Sequence, residues 1–400
     1  MLWVHVAANL LMLLLDAVWW VIAMRLTKRT VWRIFISLFM AAQIAAVSDE
    51  LLQRVGGYGI YLPLYLPQAA LAAIVIWNYL ALAVLASLGF AWLCVRFVQY
   101  RRSKKSVPVN PVSAPPTADS LSRREFVGTC AALAPPLFTF SLTGIAVSQL
   151  NRFRVRRFDL SIPSLPKGLE GLTIAHISDI HVGEWTHGRI LRQMVSATND
   201  LHPDIVVVTG DTINYELSDL PGALDLIKKM EGRYGTWMVE GNHDLYENGR
   251  EFERRVKAAG IPLLLDESML TTIRGCPVQF FGVRWMEGVG LHRDEVTALQ
   301  VRGLMEHRQP DAFPIFLAHH PHAFDAAVEA GLPLTLTGHT HGGQLMLDNQ
   351  LGVGPALFRY WSGLYKRHNS QLIVSNGIGN MFPIRVNAPA EIIHLTLHCA

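Results

Sequence analysis

The sequence predicts two structural units, an N-terminal bundle of about four transmembrane helices and then an α/β layered domain. Three observations carry this. First, half of the 400 residues are hydrophobic and only 17% are charged, below the ~25% of an ordinary soluble domain, with the apolar excess lying before residue 150. Second, from about residue 158 short apolar runs alternate with amphipathic stretches. Third, the polar residues of this second half collect where the apolar runs end. The length itself exceeds the roughly 100–200 residues of one domain.

A membrane-crossing helix needs about 20 predominantly apolar residues. Residues 2–24, 31–48, 69–96 and 126–149 meet or approach that length, and Pro63 and Pro67 let the long third segment begin outside the hydrocarbon core. The organisation expected is therefore transmembrane helices in 1–100, a basic Pro/Ser-rich linker in 101–125, a fourth transmembrane or signal-anchor helix in 126–150, and the α/β domain in 158–400. Asp16 lies inside the first apolar segment, where a charge is costly. It reads either as a functional group or as a carboxylate packed towards neighbouring helices.

Basic residues favour the cytoplasmic side. They cluster at Arg25, Lys28, Arg29 and Arg33, then at Arg101, Arg102, Lys104 and Lys105, whereas the loop between carries Asp49, Glu50 and Arg54. The expected location is thus the cell (inner) membrane, multi-pass, with the α/β domain on the external, periplasmic face. Arg152, Arg154, Arg156 and Arg157 after the fourth segment weigh the other way. The run Ser122-Arg123-Arg124-Glu125-Phe126-Val127 resembles a twin-arginine export signal, which would make the twin-arginine translocation machinery a partner; equally, it reads as a positive-inside flank. Net charge is only +3, and no single basic stripe stands out, so nucleic acid is not expected as a partner. Cys94, Cys130, Cys276 and Cys399 have no short repeated spacing, so neither a disulfide framework nor a Cys-based zinc site follows.

In the second half, 172–177, 205–209, 236–239, 278–282, 314–318 and 334–337 read as strands, and 187–199, 249–259 and 321–330 as helices. Later strands near 371–375 and 391–398 lack long intervening helices, which suggests a second, partly antiparallel sheet packed on the first. Strand ends carry Asp179-Ile180-His181, Gly210-Asp211-Thr212, Gly241-Asn242-His243-Asp244, His319-His320 and Gly338-His339-Thr340-His341. In open α/β sheets the ligand crevice lies outside the carboxyl ends of the strands, so these five ends should converge. Carboxylate, imidazole and amide oxygen form a mixed donor set for divalent metals, and a short carboxylate such as Asp211 can place one oxygen on each of two cations. Glycines before Asp211, Asn242 and His339 allow close backbone approach beside the ligands.

This series, D-x-H, G-D, G-N-H-D, H and G-H-x-H over about 170–345, resembles the calcineurin-like metallophosphoesterases, in particular their bacterial membrane-linked or twin-arginine-exported members. The run Ser375-Asn376-Gly377-Ile378-Gly379-Asn380, with Pro383, Arg385 and Pro389, is similar to the C-terminal pattern of those members. The resemblance implies a four-layer α-β-β-α sandwich. It also implies two divalent metal ions (Mn, Fe or Zn), one held by Asp179, His181, Asp211 and His341 and the other by Asp211, Asn242, His319 and His339. His243 would be the catalytic acid, oriented by Asp244. His320 and His322 read as surface or supporting residues, His176 as structural, and His187 as a cap or solvent-facing residue.

The activity implied is hydrolysis of phosphate esters or anhydrides by in-line attack of a metal-bridging hydroxide, on a phosphorylated small molecule or lipid substrate at the membrane. Two alternatives accompany it. One is a hydrolase similar to UDP-2,3-diacylglucosamine pyrophosphatase; the other is a non-catalytic metal-dependent sensor or scaffold. Where many relatives place an acidic residue, this chain has Val283-Arg284-Trp285, which leaves substrate contacts in that loop open.

Overall fold

The computed structural model describes residues 2–56, 66–103, 122–286, 291–348 and 350–400. They form two compact units, Met1–Val147 and Ser148–Ala400. Pro63, the Lys104 and Lys105 pair and most of the expected 101–125 linker lie outside the described residues.

The first unit contains α1 (Leu2–Leu26), α2 (Thr30–Gly56), α3 (Gln68–Val75), α4 (Leu82–Ser103) and most of α5 (Arg123–Leu150). A π-helical turn, Ile76–Ala81, joins α3 to α4, so the two make one span. Among the described residues four stretches, Val6–Leu26, Thr30–Leu52, Gln68–Gln99 and Arg123–Leu150, are long and apolar enough to cross a membrane, which makes this a multi-pass membrane protein. Ala23, Ile36, Phe39, Met40, Trp77, Ala81, Leu82 and Ala132 pack its centre. The π-helical turn places Trp77 and Asn78 in that interior: Trp77 Nε1 donates to Asp16 Oδ1 at 2.7 Å, and Asn78 Nδ2 donates to Gln43 Oε1 at 3.2 Å. Asp16 is thereby buried against a donor instead of facing lipid.

The Ser122-Arg-Arg-Glu125 run has a structural role of its own. Ser122 Oγ accepts the Glu125 N–H at 3.2 Å and Glu125 Oε2 accepts the Ser122 N–H at 3.3 Å, a capping box that starts α5. Glu125 also pairs with Lys28 in the α1–α2 connection.

In the second unit the strands are β1 (Phe153–Ile162), β2 (Leu172–Ile177), β3 (Ile205–Thr209), β4 (Thr236–Val239), β5 (Glu267–Ile273), β6 (Cys276–Gly282), β7 (Phe313–Leu317), β8 (Leu334–Thr337), β9 (Gly363–Arg367), β10 (Ser370–Val374) and β11 (Ala390–Cys399). The helices are α6 (Arg189–Asn199), α7 (Leu220–Lys228), α8 (Gly249–Ala258), α9 (Leu291–Met305), α10 (Ala323–Glu329) and α11 (Val353–Leu357). One sheet has the order β1-β11-β2-β3-β4 and the other β5-β6-β7-β8-β10-β9. Within them β2, β3 and β4 run parallel, as do β6, β7, β8 and β10.

Side chains alternate across each strand, and the alternation builds the layers. Ile174, Ile205, Val207, Phe280, Ile315 and Leu336 meet between the sheets. Ala175, Ile177, Val206 and Val208 face the other way, onto Met194, Leu224 and Phe252 of α6, α7 and α8. Phe281, Phe316 and Leu372 pack on Val301, Leu304 and Phe324 of α9 and α10. The result is the expected four-layer α-β-β-α sandwich.

Two elements differ from the reading of the sequence. β11 does not join the second sheet with β10; it returns to the first, parallel to β1 and antiparallel to β2. Its Ile392 enters the helix-side core while Ile393, Leu395 and Leu397 enter the inter-sheet core. The segment of arginines after α5 is β1. Arg154 and Arg156 reach Glu391 of the neighbouring strand at 2.9 and 3.5 Å.

Trp77→Phe is expected to lower the thermal stability of the detergent-solubilised chain by about 1–3 kcal/mol, since it leaves a buried carboxylate oxygen without its donor. The double variant Asp16→Leu/Trp77→Phe should lose less than the sum of the single variants; strict additivity in the melting curves would show that the pair is not coupled.

Candidate metal centre

Every candidate ligand sits just past the carboxyl end of a strand. Asp179 and His181 follow β2, Asp211 follows β3, Asn242 follows β4, His319 follows β7, and His339 and His341 follow β8. These turns are sharp. Asp179, His181, Asp211, His339 and His341 have φ of 51°, 46°, 52°, 72° and 49°, a left-handed conformation that costs non-glycine residues energy and persists where surrounding structure enforces it. Backbone bonds between loops do so: Asp179 N donates to Gly210 O at 3.0 Å, His181 N to Asp211 O at 2.9 Å and Gly338 N to His319 O at 3.0 Å.

The side chains converge into two groups. Asp179, His181, Asp211 and His341 bring one donor atom each within 4.8 Å of one another, as do Asp211, His319 and His339. Asp211 belongs to both. Its Oδ2 lies 3.5 Å from His181 Nε2 and 3.1 Å from His319 Nε2, while its Oδ1 accepts the His243 N–H at 2.8 Å. A single oxygen therefore faces both groups, where the sequence suggested one oxygen for each.

The remaining donor spacings are 3.0 Å for His181 Nε2 to His341 Nε2, 3.3 Å for His341 Nε2 to Asp179 Oδ1, and 3.2 Å for His339 Nδ1 to His319 Nε2. These match the polyhedron edges of about 3.0–3.4 Å that metal–ligand distances of about 2.0–2.1 Å produce. Asn242 adds a buried side-chain oxygen with no hydrogen-bond partner, because its Nδ2 is committed to Tyr246. The donors thus fit a binuclear divalent metal centre.

Electrostatics point the same way. Burial holds His181 down at about 3 and keeps His339 and His341 well below the usual imidazole range, which leaves them as neutral donors. Burial also pushes Asp179 up to about 6. His319 rises to about 9 although burial opposes it, because the carboxylate of Asp211 lies beside it. Asp211 itself, although buried, is held well below the usual carboxylate range by His319 beside it, so an ionised carboxylate stands between the two groups. His319 Nδ1 is 2.7 Å from Thr209 O; since a carbonyl can only accept, Nδ1 carries the proton and Nε2 is left as the donor to a cation.

Residues 172–343 match the calcineurin-like phosphoesterase family. Those residues hold all the candidate metal donors, so the site lies wholly within the stretch similar to that family. It is 29% identical over 258 residues to a Danio rerio transmembrane protein with metallophosphoesterase domain, covering 60% of this chain and 56% of the relative. The corresponding Bos taurus protein is 30% identical over 260 residues, covering 62% and 57%. The Bacillus subtilis (strain 168) metallophosphoesterase YkuE is 25% identical over 293 residues, which cover 69% of this chain and 98% of that protein. The match thus spans a little over half the length of the two vertebrate relatives.

Within this matched stretch His243 joins the cluster. Its ring centroid lies 4.6 Å from that of His181, and its Nδ1 donates to Asn214 O at 2.7 Å. Asp244 does not orient it, contrary to expectation. Its Oδ1 accepts the N–H groups of Thr212 and Ile213 at 2.8 and 3.1 Å and its Oδ2 that of Gly241 at 2.9 Å, which ties two ligand loops together. Burial, reinforced by the charge of Asp211, pushes Asp244 up to about 8.

His320 is buried against Trp285 and His339, outside both donor groups, and His187 is exposed. His176 Nε2 meets Thr209 Oγ1 at 2.8 Å inside the core. Sequence reading missed the aromatic walls: Tyr215 and Tyr246 stack at 5.7 Å beside His243, and Trp285 lies 5.0 Å from the His339 ring. It also gave Arg385 no role, yet this fully buried guanidinium reaches within 3.3 Å of His341 Nδ1 and donates to Gly379 O at 2.6 Å. Its place in the Pro-rich run after Asn380 was the available signal.

A Cβ at Gly338 would overlap Ser178 Oγ and Asp179 Oδ2. Gly338→Ala is accordingly expected to displace Asp179 and reduce bound metal from two ions to about one per chain, read by elemental analysis, with the circular dichroism spectrum unchanged. Two retained ions would show that Asp179 does not need this close approach.

Proposed function

We infer that this protein is a membrane-anchored, binuclear metal-dependent hydrolase of phosphate esters or anhydrides. The observation that carries the reading is Asp211 Oδ2, one carboxylate oxygen facing His181 of one donor group and His319 of the other. Asp179, His181 and His341 would complete the first site, and Asn242, His319 and His339 the second. Two cations bound there supply Lewis acidity towards phosphoryl oxygens and lower the pKa of a water.

The protein groups do the rest. Nδ1 of His243 is fixed as a donor to Asn214 O, so Nε2 is the nitrogen free to exchange a proton with a leaving group. Tyr215 and Tyr246 pack beside that imidazole at 5.2 and 4.6 Å and limit how it can turn. Trp285 and Phe358, 5.0 and 6.0 Å from the His339 ring, form an apolar wall on the other metal group, suited to the organic portion of a phosphoester.

The same reading places the domain on the external face. Lys28, Arg29 and Arg33 flank the first connection, and Arg123 and Arg124 open α5, which assigns both regions to the cytoplasm. The arginines that weigh against this belong to β1 of a folded domain, and folded domains translocate largely regardless of charge. A capping role accounts for Ser122 and Glu125 without an export signal. A phosphatase or fluorescent reporter fused after residue 400 should report an external carboxyl terminus; cytoplasmic fluorescence would reverse the orientation.

Asp211→Asn should abolish hydrolysis of bis(p-nitrophenyl) phosphate and lower metal content in a chain that still folds. His243→Ala should keep both ions and slow turnover by about 10²- to 10⁴-fold, the range for a positioned acid or base. Full turnover by metal-depleted protein would refute the mechanism.

A further inference from the structure

Asn242 must present one particular end of its carboxamide to a cation. Only the oxygen of an amide side chain can ligate a metal, since the nitrogen end carries donors alone. The two ends have nearly the same shape, so packing by itself does not choose between them. A hydrogen bond makes the choice. Asn242 Nδ2 donates to Tyr246 Oη at 3.0 Å, and Asn242 Oδ1 is left buried without a partner. With a cation on Oδ1 the phenol oxygen accepts; a reversed amide would turn N–H groups towards the cation.

The local fold makes this contact. His243–Leu245 form a single helical turn, with Asn242 before it at φ −67°, ψ −35° and Tyr246 after it at φ −62°, ψ −44°, and side chains four residues apart on a helical turn meet on one face. The same turn lays the tyrosine ring on the candidate acid. Its centroid is 4.6 Å from that of His243, and it runs nearly parallel to Tyr215, at 15°. One side chain thus touches a candidate metal ligand through its hydroxyl and the candidate acid through its ring. Burial does not account for its position: Tyr246 is 55% exposed and belongs to none of the hydrophobic cores.

We propose that Tyr246 is a positioning residue whose two parts have separable effects. The hydroxyl holds the carboxamide so that Asn242 Oδ1 joins His319 and His339 on the second metal ion, and the ring keeps Nε2 of His243 turned towards the leaving group. Asn242 and His243 take these roles from the hydrolase reading above, on which the proposal rests. Groups that orient a metal ligand from outside are typically worth about 10- to 100-fold in metal affinity. An exposed hydroxyl, which water can replace, belongs at the lower end of that range.

Calorimetric titration of the full chain in detergent with Mn²⁺, alongside turnover of two esters, separates the parts. Tyr246→Phe keeps the ring; it should weaken binding of the second Mn²⁺ by about tenfold, leave the first unchanged, and leave turnover at saturating Mn²⁺ within about twofold. In an Asn242→Asp chain, where both ends of the side chain are oxygens, adding Tyr246→Phe should change second-ion affinity by less than about twofold. Tyr246→Leu should in addition, at saturating Mn²⁺, slow diphenyl phosphate about tenfold more than bis(p-nitrophenyl) phosphate, because the poorer leaving group depends more on a proton from His243. Unchanged Mn²⁺ affinity in Tyr246→Phe, or equal weakening in the Asn242→Asp background, would overturn the role of the hydroxyl; equal slowing of the two esters would overturn that of the ring. An unsubstituted chain that binds two Mn²⁺ and cleaves neither ester would overturn the hydrolase reading, with the titrations still deciding whether Tyr246 orients Asn242. One that binds fewer than two ions would overturn the two-metal reading and this proposal with it.

Discussion

The site depends on how one carboxylate is held. Asp211 is 1% exposed, and its two oxygens have different duties: Oδ1 is fixed by the N–H of His243, and Oδ2 stands between His181 and His319. Burying a carboxylate without compensation is strongly unfavourable. Here the compensation is a backbone donor on one side and two cation-seeking donor groups on the other. Since the His243 N–H comes from the loop after β4 and Asp211 from the loop after β3, the pairing of those parallel strands sets the position of the shared oxygen.

The same logic explains why both sheets are needed. His181 and Asp179 come from the first sheet, and His319, His339 and His341 from the second. The inter-sheet core of Ile174, Val207, Phe280, Ile315 and Leu336 fixes the separation of the two edges, and loop-to-loop bonds set the final register. His319 Nδ1 crosses from β7 to Thr209 O of β3, and Ile378 N crosses from the loop after β10 to Ser178 O after β2. Five candidate-ligand positions lie in the left-handed region, which an isolated loop would not hold. Packing of the sandwich is what makes that strain bearable.

Much of this was legible in the sequence because it is local. Six of the strands read from apolar runs fall where the structure has them, since a buried parallel strand such as Ile205–Thr209 is a continuous β-branched run ended by glycine. The convergence of the candidate donors was legible because Asp, His and Asn at successive strand ends have no packing rationale, and the structure gathers them into two groups. Non-local choices were not. β11 lies between β1 and β2 because the chain crosses the ligand edge after β10 and returns, and no periodicity encodes that strand order. β1 was hidden because its alternate positions are arginines, whose partner Glu391 is more than 230 residues away. Asp244 was assigned to His243 because the two adjoin in sequence, yet neighbours along a turn point apart: the imidazole turns to Asn214 O, and the carboxylate turns to three backbone N–H groups.

Arg385 shows how anchorage and chemistry come to share one residue. Its Nε donates to Asn380 Oδ1 at 2.7 Å, its Nη1 to Asn376 O and Ala388 O at 3.1 and 3.0 Å, and its Nη2 to Gly379 O at 2.6 Å beside His341. Asn380 Nδ2 in turn donates to Leu150 O, the last carbonyl of α5, at 3.1 Å. A lysine could not replace this residue, because its point charge lacks the planar fork that reaches four acceptors at once. The guanidinium therefore sets the 376–388 loop against the terminal residue of α5 and against the His341 imidazole together. The carbonyl of Leu150 is thus linked to the imidazole of His341, a candidate metal ligand, through two hydrogen-bonded residues, Asn380 and Arg385.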